Sequence, residues 1–62
     1  MSQVELRQRL FSLIEGEGVS QKFIAKQTSI SESMLSLFKN DKTQLGLLDR
    51  EKLDGYLKSR GY

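Results

Sequence analysis

The 62-residue chain has no cysteine, no histidine and no proline. Without cysteine there can be no disulfide and no thiol nucleophile. Without histidine there is no imidazole base, and losing both removes the usual zinc sites. No proline interrupts a helix, and no alternating β-branched run marks a strand. No apolar run reaches the length of a membrane span or a secretory h-region, so the expected location is the cytoplasm. At this length one domain is expected, residues 1–62, near the lower limit for folding without staples. Nothing pairs a nucleophile with a base, so no enzymatic activity, cofactor or metal is expected. The expected fold is all-α, a compact bundle of four to five short helices.

Charge is sparse but uneven. The formal net charge is +2, with a pI of about 9.2. Between Ser20 and Lys42, four lysines (Lys22, Lys26, Lys39 and Lys42) face only Glu32 and Asp41. The segment before it is net acidic. This distribution fits an anionic partner for the central segment without by itself requiring one.

That central segment, VSQKFIAKQTSISESMLSLFKNDK, carries the same start signal twice, eleven residues apart. Val19-Ser20 precedes QKFI, and Ile30-Ser31 precedes ESML. In each, the serine can cap a helix while the preceding apolar residue packs on the fourth helical one, Ile24 or Leu35. Phe23 and Met34 stand where a full capping box has Glu or Gln. The pattern predicts one helix from Gln21 to about Thr28 and a second over about residues 31–40. Ile24, Ala25 and Thr28 share a face of the first, and Leu35 and Phe38 a face of the second. Small Ala25 lets two axes approach closely, as in a helix-turn-helix.

Before this pair, a helix is expected from Met1 to about Glu15, with Leu6, Leu10, Leu13 and Ile14 inward and Val4 and Phe11 at the margins. Gly16-Glu17-Gly18 should end it. Gln3 and Arg7 are read either as a solvated face or as flanking phosphate contacts, and Glu15 and Glu17 as solvated. After the pair, Gln44 to Leu48 reads as a short helical turn under the core. Leu48-Asp49 then repeats the start signal for a last helix carrying Leu53, Tyr56 and Leu57 inward and ending at Gly61. Gly55 within that helix costs about 1 kcal/mol against alanine, which points to a close helix approach there.

The stretch QKFIAKQTSISESMLSLF resembles the helix-turn-helix of the lambda-repressor-like (Cro and C1-type) DNA-binding proteins. The resemblance lies in Gln21, Ala25, Ile30-Ser31, Leu35, Phe38 and Asn40, over a motif of about residues 20–40. Ser29 departs from the family's usual glycine, and Thr28 from its usual apolar residue. The last helix is also shorter than the family's usual tail.

The resemblance implies a small transcriptional regulator of phage or prokaryotic type, associated with the nucleoid, that binds double-stranded DNA through its second motif helix in the major groove. Base contacts then fall to Ser31, Glu32, Ser33 and Ser36, with Leu37 also exposed. A glutamate only accepts hydrogen bonds, so Glu32 would favour cytosine N4, held by the Gln21 amide; alternatively it only stabilises the helix N-terminus. DNA-backbone contacts fall to Gln21, Asn40, Lys39, Lys42, Thr43 and Lys22, with Lys26 also in reach; each lysine is equally readable as a solvating charge. A homodimer on a palindromic operator is implied. Tyr56, Leu57 and Tyr62 are its candidate surface, unless they are plain core. The rival reading is a protein-interaction adaptor or antirepressor that uses the same serine-rich face.

Overall fold

The computed structural model describes residues 2–62. Among them are four helices and no strand: α1 (Gln3–Glu17), α2 (Gln21–Thr28), α3 (Glu32–Lys39) and α4 (Leu47–Ser59). α1 packs on α3 and α4, and α2 packs on the same two. The core is a single cluster. Leu6, Leu10 and Leu13 of α1, at helical spacing, meet Ile24 and Ala25, Ile30, Leu35 and Phe38, Leu45, and Leu53 and Leu57. Each leucine or phenylalanine so buried contributes roughly 1.5–3 kcal/mol.

The start of α1 at Met1 lies outside the described residues; within them, Ser2 caps the helix by accepting from the Glu5 amide at 3.0 Å. α1 runs two residues past Glu15 because Gly16 stays helical. Termination comes at Gly18, in the left-handed region at φ 66°, whose amide donates to the Ile14 carbonyl. Gly16 has another use. A Cβ there would stand 3.0 Å from the Tyr62 hydroxyl. The close approach expected at Gly55 is therefore found at Gly16; nothing lies within 4 Å of a Cβ built on Gly55.

Both central caps form as the residues dictate. The Ser20 hydroxyl accepts from the Phe23 amide and the Ser31 hydroxyl from the Met34 amide, each at 3.1 Å. Thr28 is buried, and its polarity is resolved locally: its hydroxyl donates to the Ile24 carbonyl at 2.8 Å. Ser29 takes φ 60°, the left-handed conformation that a glycine would adopt freely.

The segment after α3 departs from expectation. Gln44 to Leu48 forms no helical turn under the core. Instead Leu45 alone is buried, in an irregular stretch held by Gln3, whose side-chain amide donates to the Leu45 carbonyl (2.9 Å) and accepts from the Leu45 amide (3.2 Å). That pair satisfies the backbone groups that a helical turn would have paired. Leu47 and Leu48 are each 65% exposed, so Leu48 is no staple. α4 begins at Leu47 after Gly46, and Asp49 sits inside its first turn, favourable to the helix dipole but not capping.

The chain's end is fastened to α1 by charge. Arg9 donates from Nε to the Tyr62 carbonyl (2.7 Å) and pairs with Asp54 (2.6 Å), which also pairs with Lys58. Arg60 pairs with Glu17 at 2.9 Å, so Glu17 is not simply solvated. The Arg60 hydrogen bond holds the Glu17 carboxyl below its ordinary range, and the Arg9 hydrogen bond does the same for Asp54.

Two outcomes are expected. Ser29→Gly relieves the left-handed penalty and should raise the urea-unfolding free energy by up to about 1 kcal/mol; an unchanged or lower value would show an unstrained turn. The second concerns pH. Depressed carboxyl pKa values mean that the unfolded chain takes up protons first. The stability from Glu17 and Asp54 is therefore whole above about pH 5 and is lost as pH falls through the ordinary carboxylate range and below it. Thermal unfolding between neutral and acid pH should show a shallower decline in a Glu17→Gln, Asp54→Asn double variant than in the wild type.

Candidate functional site

α3 has eight residues, too few to be stable alone in water. It is held by burying Leu35 and Phe38 completely, with Met34 partly buried beside them. Helical geometry then turns Glu32, Ser33, Ser36 and Leu37 away from the core. With Gln21 from the start of α2, these four line a shallow depression of about 470 Å³. Glu32 and Ser33 are exposed, Ser36 is half-buried, and Leu37 is 46% exposed. The four residues expected to meet bases are thus on or beside one surface. Ser31 stands at its edge, exposed, with its oxygen committed to the Met34 amide as the cap and its proton free to donate outward.

Gln21 does bridge the two helix starts, but not as expected. Its amide donates to the main-chain carbonyl of Glu32, at 3.4 Å, and not to the carboxylate. It therefore ties the first turn of α3 to α2 and leaves the Glu32 side chain unheld. At the other end Asn40 serves α3 itself, with Nδ2 donating to the Ser36 carbonyl at 3.0 Å. One of its two amide protons is so occupied, and the other points to no protein acceptor among the described hydrogen bonds. The Thr43 hydroxyl, half-buried, makes a long bond to the Gln44 carbonyl.

Arg7, Arg9, Lys52, Lys58 and Arg60 are in ion pairs among the described residues. Arg50 of α4, its Nε buried without a partner, is in none, and neither are the four lysines of the central segment, Lys22, Lys26, Lys39 and Lys42. Of these lysines, Lys39 sits 5.9 Å from the Phe11 ring centroid, and the other three are exposed. Asp41 is met by Arg7, so the central segment keeps four unpaired lysines against one unpaired carboxylate, Glu32.

Arg7 is the residue that sequence reasoning misplaced most. Neither it nor Gln3 faces water or an external phosphate. The Arg7 Nε donates to the Phe38 carbonyl at 2.8 Å, its guanidinium lies 5.0 Å from the Phe38 ring centroid, and it pairs with Asp41 at 3.1 Å. It caps the C-terminal end of α3 and holds Asp41, which stands at φ 60°. Arg9 shares its place between Leu6 and Leu10, so nothing in the local sequence singled Arg7 out.

Of the candidate dimer surface, Leu57 is plain core, the alternative reading for it, and is fully buried. Tyr62 packs on the same core with its carbonyl taken by Arg9, and Tyr56 is half-buried with a buried hydroxyl that lacks a partner. No described helix is long and apolar enough to cross a membrane, and no cluster of three or more metal-ligating residues occurs among the described residues. Compared with family models, curated proteins and solved structures, the chain matches none.

Arg7→Met should lower the urea-unfolding free energy by about 1–2 kcal/mol, since it removes a charge-assisted bond to a carbonyl. Asp41→Asn should cost less than about 1 kcal/mol, because that carboxylate is 81% exposed and screened. Equal losses would mean that the ion pair, not the carbonyl bond, fastens α3.

Proposed function

We propose that the chain is a small sequence-specific regulator that binds double-stranded DNA, with α2 and α3 acting as a helix-turn-helix of the lambda-repressor-like kind and α3 entering the major groove. One observation carries this reading. The apolar side of α3 is committed to the core, while Ser31, Glu32, Ser33 and Ser36 stand outward on short side chains that let the helix backbone approach base edges. Serine hydroxyls pair with several bases, and Glu32, able only to accept, favours cytosine N4. Lys22 and Lys26, one turn apart on α2, and Lys39 and Lys42 at the end of α3 supply unpaired charge for phosphates. Gln21, Asn40 and Thr43 add polar contacts that position the helix without reading sequence.

One domain of this size covers little DNA, so the reading includes two copies on a palindromic operator. With Leu57 inside the core, their contact falls elsewhere on the surface. The regulator works by occupancy at the nucleoid, in the cytoplasm, with no catalytic step, metal or cofactor. A protein-binding adaptor is the second reading. It is favoured by Leu37, an exposed leucine on the face that also carries the Glu32 charge.

Selection from random duplexes at two salt concentrations separates the two. A palindromic sequence retained at the higher salt is expected; enrichment of no sequence, or binding lost entirely with salt, would favour the adaptor. Glu32→Gln should change the preferred base at one position of each half-site. Uniformly tighter binding to every sequence would mean instead that Glu32 only repels phosphate.

A further inference from the structure

We propose that Leu37 is a specificity-determining residue that reads the C5-methyl group of a thymine; this rests on the DNA-binding reading above and adds a base to it. Of the apolar side chains on α3, Leu35 and Phe38 are fully buried and Met34 is partly buried against the core. Leu37 alone is left out, 46% exposed, on the wall of the depression formed with Gln21, Glu32, Ser33 and Ser36. Its neighbours there can answer the donors and acceptors of base edges, whereas a leucine answers none of them. The one apolar group that the major-groove edges present is the thymine methyl.

The placement suits that contact. Leu37 follows Ser33 by four residues and so lies above it on the same side of α3. The separation along the axis is about 6 Å, enough for Leu37 to meet a different base pair from the one beside Ser33, since residues three apart on a major-groove helix can already meet successive bases. Its backbone is fixed as well, its carbonyl accepting from the Lys42 amide at 2.8 Å.

The test takes the duplex selected by the full chain and replaces each thymine of the half-site in turn with deoxyuridine, which lacks only the methyl. At one thymine per half-site the replacement should weaken wild-type binding about fourfold, the effect of burying one methyl-sized group. Leu37→Ala should bind the two duplexes equally. Leu37→Gln, which keeps the bulk, should move the preferred base at that position away from thymine. Uracil replacement that changes nothing, or that weakens Leu37→Ala as much as wild type, would overturn this assignment while leaving DNA binding intact. Selection of no duplex at all would overturn both.

Discussion

An eight-residue helix has no standing of its own in water, so α3 exists because Leu35 and Phe38 are sunk into the core. Two such side chains contribute roughly 1.5–3 kcal/mol each, more than the roughly 1 kcal/mol of the Ser31 cap. Burial therefore decides which way α3 faces, and the cap decides where it starts. Once those two residues point inward, helical periodicity leaves Glu32, Ser33, Ser36 and Leu37 no choice but to face out. The proposed interface is thus a by-product of packing, set by the same residues that fold the chain.

The ends of α3 are held from three directions. Gln21 reaches the Glu32 carbonyl from α2, Arg7 reaches the Phe38 carbonyl from α1, and Asn40 bonds back to the Ser36 carbonyl. Each is a side-chain bond to a main-chain carbonyl of α3, one in its first turn and two in its last. A surface helix fastened in this way can present side chains with little loss of order on binding, which is what recognition of base edges demands. The same fastening clears the charge. Arg7 meets Asp41 and so leaves Glu32 as the sole unpaired carboxylate among the four unpaired lysines.

How much was legible in the sequence follows sequence separation. Ser20 and Ser31 were readable as caps because the acceptor and donor are three residues apart, and the buried faces of α2 and α3 because helical period is local. Gln3 with Leu45, Arg7 with Phe38, Arg9 with Tyr62 and Glu17 with Arg60 span 31 to 53 residues. No local pattern announces which arginine on a mixed helix will turn inward. The start of α4 differs for a related reason: Leu48-Asp49 has the form of a cap and staple, but the distant Gln3 side chain holds the preceding segment through Leu45 and out of a helical turn. The close approach falls at Gly16 and not at Gly55 because it depends on the position of Tyr62, 46 residues along the chain from Gly16.

The central claim is that the outward side of α3, kept outward by Leu35 and Phe38, is the surface that meets DNA. Amide chemical shifts recorded while a short duplex is added at low salt test it most directly. Shifts concentrated at Gln21 and Lys22 and from Ser31 to Leu37 are expected, with the outer residues of α1 and α4 unmoved. Shifts confined to α1 and α4, or none anywhere, would contradict it.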